Sequence, residues 1–351
     1  MILAVIMVAA EPPICYHICF GDCSGLGSTA GTDVLKLVFL DAATVQGADL
    51  SSLHRDGRFA LQCFPYTAAA DIVSRAIDAT AVITNKVPLD RATLLQLPKL
   101  RLICIAATGT NCVDLSAAQE LGITVCNVRD YALDSVPQHA MALLLALTNQ
   151  IVQNQRAIER GEWQLQPIFC LLTHPIQSLA GKTMTIVGYG GLGKATAALA
   201  KAFGMQICIA ERPDATTIRA GRDAFASALA KADVLSLHCP ATPGRSYLLS
   251  DAEFALLKPT ALLINTARGQ LVDPIALIQA LSSGRLAGAA LDVLVQEPPP
   301  QHDPLISAQL PNLLLSPHIA WAADTAMQRL VDQIAENLHA FAAGSPIRCC
   351  I

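Results

Sequence analysis

Thr185-Ile186-Val187-Gly188-Tyr189-Gly190-Gly191-Leu192-Gly193 decides the fold. An apolar run ends in G-x-G-x-x-G, and Lys194–Phe203 reads as the helix that follows. Gly188 permits a tight turn, Gly190 lets the backbone approach a pyrophosphate, and Gly193 packs helix on strand. Gly191 and Leu192 open the helix, whose first N–H groups and positive dipole end suit a phosphate. A second apolar run ends at Glu211, 18 residues beyond Gly193, where an acid would take the ribose hydroxyls. Its carboxylate favours NAD over NADP, whose 2′-phosphate it would repel. Arg212 beside it could instead receive that phosphate, so NADP stays open. The stretch predicts a dinucleotide-binding sheet.

Outward from the glycine loop, strands and helices alternate in both directions. Downstream the runs are Gln206–Ile209, Val234–Leu237, Leu262–Asn265, Ala289–Leu291 and Leu313–Leu315. With Thr185–Val187 they make six strands, the number in a complete dinucleotide-binding sheet. Upstream lie Leu37–Asp41, Ala81–Thr84, Leu102–Ala106 and Ile123–Cys126, with helical stretches at Ala69–Asp78 and Asp114–Leu121. The expected fold is α/β: two Rossmann-like or flavodoxin-like parallel-sheet domains with the active site in the cleft between them.

A boundary is expected at Ser135, where Ser135-Val136-Pro137-Gln138 reads as a capping box with Pro in the first turn. The helix after it is apolar nearly all round and predicts burial at a domain or subunit interface. A last helix carries Met327, Leu330, Val331, Ile334, Leu338 and Phe341 on one stripe and stops at Gly344. Its expected return to the first domain makes that domain discontinuous, 36–134 plus 320–351, around a nucleotide domain of 135–319. Residues 1–35 read as an extension. Their apolar run Ile2–Ala10 has no basic residue before it, and Cys15, Cys19 and Cys23 lack the distant second pair a zinc site uses.

The strand ends carry the chemistry. Ligands bind outside the carboxyl ends of such strands. Those ends read Glu211, His238-Cys239, Thr266 with Arg268, Asp292 and His318. Turn chemistry explains one or two polar residues there, not an Arg, an Asp and two His together. Reduction of a 2-keto acid needs a cation for the carboxylate and carbonyl, a general acid for the developing alcohol, and a partner to tune that acid. Arg268 suits the first role through its planar fork. A His suits the second, and both His318 and its rival His238 stand at strand ends. Glu297, in a proline-stiffened loop, is the natural partner; a carboxylate bonded to imidazole stabilises the imidazolium and fixes its tautomer. In the first domain Ala106-Ala107-Thr108-Gly109-Thr110-Asn111 is a small-residue turn whose N–H groups could grip a carboxylate.

Composition bounds the rest. The chain has 351 residues, 53% hydrophobic and 15% charged, enough for two domains with large cores. A net charge of −4 argues against a nucleic-acid footprint. No apolar run reaches the roughly 18 residues of a membrane span. Twelve cysteines at irregular spacings, several inside apolar runs, read as small hydrophobes in a reducing cytoplasm rather than as a disulfide framework. No metal site is expected.

Together these motifs resemble the D-isomer-specific 2-hydroxyacid dehydrogenases over about Leu37 to Pro346. The matching segments are Thr84-Asn85-Lys86-Val87-Pro88, the Thr108–Asp114 turn, the glycine loop, Leu237-His238-Cys239-Pro240, Asn265-Thr266-Ala267-Arg268-Gly269, Ala289-Ala290-Leu291-Asp292-Val293, Glu297-Pro298 and Ser316-Pro317-His318-Ile319-Ala320-Trp321. The resemblance implies catalytic Arg268, Glu297 and His318. It implies cofactor contacts from the glycine loop, Thr110, Glu211, Arg212, Cys239, Pro240, Thr266, Ala267, Arg268 and Asp292. It implies substrate contacts from Lys86, Thr108, Gly109, Thr110, Asn111, Arg268 and Trp321, and a homodimer.

Within the family, Ala106–Asn111, Glu297-Pro298-Pro299 and Pro317–Ala322 look most like members acting on glycerate and hydroxypyruvate. The expected activity is therefore NADH-dependent reduction of hydroxypyruvate, and of glyoxylate, to the D-2-hydroxy acid. A phosphoglycerate- or lactate-type dehydrogenase is the alternative, and an NADH-sensing corepressor-like binding protein the remote one. Gln138 and Thr173-His174 depart from the family pattern without touching the triad.

Overall fold

Short apolar runs buried at every position, such as Ala81–Thr84 and Leu102–Ile105, can only be parallel strands covered on both faces. In the computed structural model, which describes residues 34–351 apart from 56, 242, 243, 245 and 246, they are. The Ile2–Ala10 run and Cys15, Cys19 and Cys23 lie outside the described residues. The chain divides into two units, one running up to Asn127 and resuming at Ile334–Ile351, the other Val128–Gln333.

The first unit holds β1 (Leu35–Phe39), β2 (Phe59–Cys63), β3 (Ala81–Thr84), β4 (Leu102–Ile105) and β5 (Thr124–Cys126), in the order β2-β1-β3-β4-β5. All four pairings are parallel. Sequence reading misses β2, whose alternating pattern buries only Phe59 and leaves it an edge strand. Beyond β5 the chain's last residues add an antiparallel bridge, Cys126 opposite Cys349.

The second unit holds β6 (Thr183–Val187), β7 (Gln206–Ala210), β8 (Val234–Leu237), β9 (Leu262–Asn265), β10 (Gly288–Leu291) and β11 (Leu313–Leu315). Their order is β11-β10-β9-β8-β6-β7, all parallel. A single parallel bridge, Ala210 to Asp223, lies beyond β7 as the remnant of one more edge strand. The strand order reverses between β6 and β8, the crevice where such sheets bind nucleotides.

Two expectations need correction. Ser135 and Gln138 form no capping box. The N-cap is Asp134, whose carboxylate accepts the Ser135 N–H (2.9 Å) and is paired with Arg329, which holds its pKa down at about 2. Ser135 is buried, its hydroxyl 3.5 Å from the Trp321 carbonyl. Nor does the helix Ser135–Thr148 wait for an interface to bury it. Ala140, Met141, Leu144 and Leu147 pack with Ile186, Ala197, Ile264 and Ala290 of the unit's own sheet and helix.

The final helix, Asp324–Ala342, buries Leu330, Val331, Ile334 and Leu338 completely, as its stripe predicts. The division between units falls inside it, at Gln333/Ile334, rather than before it at residue 320. The physical reason is its polar anchors. Arg329 binds Asp134 and the Tyr131 carbonyl in the second unit, whereas Asn337 donates to the Asn127 carbonyl (2.9 Å) in the first.

Candidate active site

The glycine loop is built by close approach. Gly188 sits at φ +93°, and a Cβ there would lie 2.6 Å from the Cys239 nitrogen at the end of β8. A Cβ on Gly193 would lie 2.1 Å from the Gly188 carbonyl oxygen. By contrast, nothing among the described residues lies within 4 Å of where a Gly190 Cβ would be. The loop is thus tight against its own sheet and open where a pyrophosphate would approach, with helix Gly191–Ala202 starting behind it.

Glu211 stands at the end of β7 as expected, almost fully buried. Its carboxylate is already engaged. It accepts the Arg212 N–H (2.9 Å) and two guanidinium nitrogens of Arg219, with Arg222 3.9 Å away. The Arg219 hydrogen bonds hold its pKa far below the usual carboxylate range. Sequence reading missed Arg219, eight residues further on in the loop before Asp223. Thr266, just past β9, is buried, and its hydroxyl has no partner among the described residues. A buried hydroxyl without a partner costs roughly 1–3 kcal/mol, so it marks a place where a polar group of a ligand belongs. The cradle at Gly190 and this orphaned hydroxyl both fit a dinucleotide.

The imidazole–carboxylate pair is explicit. His318 Nδ1 lies 2.5 Å from Glu297 Oε2, and Glu297 Oε1 accepts the Leu294 N–H (2.8 Å). Both side chains stay partly open, at 28% and 32% exposure, so a substrate can reach them. His318 holds a left-handed backbone, φ +55°, which for a non-glycine residue costs on the order of 1 kcal/mol or more. Its surroundings impose it. The His318 N–H donates to the Asp292 carbonyl (2.8 Å), and Trp321 Nε1 donates to the His318 carbonyl (3.0 Å). The Asp292 carboxylate accepts the Ile319 N–H (3.0 Å), the Ala320 N–H (2.8 Å) and the Ser316 hydroxyl (2.5 Å). His139 Nε2 closes this network 3.0 Å from Ser316 Oγ.

Asp292 and Trp321, expected as cofactor and substrate contacts, are therefore seen fixing the His318 turn. Sequence reading missed Ser316 and His139 because these contacts span some 20 to 180 positions of chain.

His238, the rival proton donor, is of another kind. Burial pushes its pKa down to about 4, and its Nε2 sits 2.8 Å from Ser236 Oγ. It is neutral near pH 7 and committed to a structural bond.

Arg268 follows β9 in extended backbone, one guanidinium nitrogen donating to the Ala267 carbonyl (2.6 Å). Among the described residues no carboxylate forms an ion pair with it, so its charge is available to an anion. Its turn is locked to the Glu297 loop. A Cβ on Gly269 would lie 2.0 Å from the Leu294 carbonyl, and Gln270 Nε2 donates to the Val295 carbonyl (2.8 Å).

In the first unit the chain bends at Thr108 and turns at Thr110, whose carbonyl accepts the Val113 N–H (3.0 Å), with Asn127 Nδ2 donating to the Thr108 carbonyl (2.8 Å). Lys86 is exposed on a turn whose N–H groups converge on buried Asp41, at 2.7 Å from Lys86 and 2.9 Å from Asn85. Burial raises the Asp41 pKa, and those N–H groups pull it partly back. Among the described residues no group of three or more His, Cys, Asp or Glu is placed to hold a metal.

A family model described as the NAD binding domain of the D-isomer specific 2-hydroxyacid dehydrogenases matches residues 141–320. The chain belongs to this family. It is 41% identical over 314 residues to the glycerate dehydrogenase of Methylorubrum extorquens, covering 89% of this chain and 97% of that protein. It is 34% identical over 322 residues to the hydroxypyruvate reductase of Blautia hydrogenotrophica, covering 89% and 98%. The apo-structure of D-lactate dehydrogenase from Escherichia coli superposes with a TM-score of 0.76 at 26% identity, covering 90% of this chain and all of that one. As a member of the family the chain is an oxidoreductase with an NAD-binding domain, and Arg268, Glu297 and His318 stand after the neighbouring strands β9, β10 and β11.

Proposed function

We propose that the protein reduces hydroxypyruvate, and with it glyoxylate, to the D-2-hydroxy acid, and oxidises D-glycerate in reverse. The observation that carries this reading is the His318–Glu297 pair, held at 2.5 Å after β11 and β10, the strands next in order to the β9 that precedes Arg268, with which no carboxylate among the described residues forms an ion pair. Likeness to the glycerate dehydrogenase and hydroxypyruvate reductase above supports the substrate class.

NADH, when bound, supplies the hydride. Glu297 faces Nδ1 of His318 and so fixes the tautomer, leaving Nε2 to give its proton to the carbonyl oxygen. The Arg268 fork holds the substrate carboxylate and polarises the carbonyl. Gly188–Gly193, Glu211 and Thr266 hold the dinucleotide; the Thr108–Asn111 turn is proposed as an anion-binding turn. NADH is the proposed preference, since Glu211 at the end of β7 is placed for ribose hydroxyls.

Loss of NADH absorbance tests the reading, with hydroxypyruvate, glyoxylate and pyruvate, and with NADPH, in parallel wells. Rapid loss with hydroxypyruvate and NADH is the expected result. Loss with pyruvate alone would overturn the substrate class, and faster loss with NADPH the cofactor preference.

The reading includes a homodimer in a reducing cytoplasm. Cys104 and Cys208 are buried in strands as apolar side chains, which suits that compartment. Among the described residues no helix is long and apolar enough to cross a membrane. The dimer is supported by a segment after helix Ile151–Glu159. There Leu165, Phe169, Leu172 and Ile176 are 81%, 91%, 75% and 64% exposed, an apolar run of the kind that protein contacts cover. Light scattering on a sizing column should give twice the chain mass. Phe169→Asp with Leu172→Asp should give the single chain mass with the fold retained by circular dichroism. A wild-type monomer would exclude the dimer.

A further inference from the structure

The chain ends by folding its last residues against β5. The Asn127 N–H donates to the Arg348 carbonyl (3.2 Å) and the Cys350 N–H to the Val125 carbonyl (2.7 Å). Cys126 and Cys349 therefore face each other as a non-hydrogen-bonded antiparallel pair. Such pairs bring their Cα atoms to about 4.5 Å. A disulfide spans Cα separations of about 4.4–6.8 Å. The two sulfurs already lie 3.9 Å apart. The backbone on either side is pinned. Arg348 donates to Asn337 Oδ1 (3.0 Å) and to Glu336, and Asn337 donates to the Asn127 carbonyl (2.9 Å). Rotation of the two side chains is the movement that bond formation asks for.

We propose that Cys126 and Cys349 are a thiol oxidation site, closed to a reversible disulfide by a low-molecular-weight disulfide such as oxidised glutathione. Exposure sets the order of events. Cys349 is exposed, whereas Cys126 is buried and its thiol is pushed up to about 12, first by burial and then by Cys349 beside it. The Cys349 thiolate attacks one sulfur of the oxidant, forming a mixed disulfide and expelling one glutathione thiolate, which takes a proton. Cys126 then gives up its proton, attacks the Cys349 sulfur and expels the second glutathione. Two protein thiols are oxidised and one oxidised glutathione is reduced to two thiols. The bond joins positions 223 apart and fastens the C-terminal segment to β5. The inference is independent of the proposed substrate.

The test uses the full chain incubated with oxidised glutathione, alkylated, digested without reductant and analysed by mass. The expected product joins the peptide of Cys126 to that of Cys349, is lighter by two hydrogens, and is lost on treatment with dithiothreitol. It should vanish in Cys349→Ser and persist in Cys350→Ser. A stable glutathione adduct on Cys349 with Cys126 alkylated would overturn the proposal. So would a cross-link joining Cys126 to its β4 neighbour Cys104, or one that survives Cys349→Ser.

Discussion

Replacing His318 by Asn is expected to lower kcat by about 10²–10⁴-fold, the usual worth of a positioned general acid, while leaving NADH affinity nearly unchanged. Asn is chosen for a structural reason. The position sits at φ +55°, and Asn enters the left-handed region more readily than other residues. The bonds that shape the turn come from main-chain atoms and from Asp292 and Trp321, so the substitution leaves them in place. Steady-state kinetics with cofactor-fluorescence titration separates the two effects. Wild-type turnover in the variant would remove His318 from its role. His238→Gln supplies the contrast. His238 is neutral down to about pH 4, so its replacement should leave the neutral-range limb of the pH–rate profile where it is.

Gly269→Ala carries the second large effect, through geometry alone. The added methyl would meet the Leu294 carbonyl carbon and oxygen at 2.0 Å and the Val295 nitrogen at 2.5 Å. These are backbone atoms, with no flexible side chain to swing aside. The strand end bearing Arg268 and the loop leading to Glu297 must separate by more than an ångström. A displacement of that size in a catalytic constellation costs about 10²-fold. The expected outcome is a fall of that order in kcat/KM, with a lowered Tm. Gln270→Ala, which removes only the bond to the Val295 carbonyl, should stay close to wild type. Unchanged kcat/KM in Gly269→Ala would show that the two loops move independently.

Much of this was legible because the signals are local. β8, β9 and β11 run where their mostly apolar residues lie, and the glycine spacing alone implies the cradle. His318 and Glu297 could be paired because an imidazole at a strand end calls for a carboxylate partner, and Glu297 stands in a proline-stiffened loop that the family resemblance also marks. What escaped depends on contacts distant in sequence. No spacing rule tells that Arg219 will fold back over Glu211, that Asp41 will gather the N–H groups of Asn85 to Val87, or that Asp134 rather than Ser135 will cap its helix. β2 was invisible for another reason: an edge strand with one buried residue carries little hydrophobic signal.

The return of the C-terminal residues to β5 has a consequence for how the protein is made. Ribosomes deliver about 5–20 residues per second, so β5 emerges some 10–40 s before the segment that completes its edge. Through that interval Arg348 and Cys350, which bond the Asn127 N–H and the Val125 carbonyl, have yet to be made, while the whole nucleotide-binding unit is synthesised and folds. The first unit is completed only after the second has been made, and a nascent chain stalled short of Arg348 would present an open strand edge to its neighbours on the polysome.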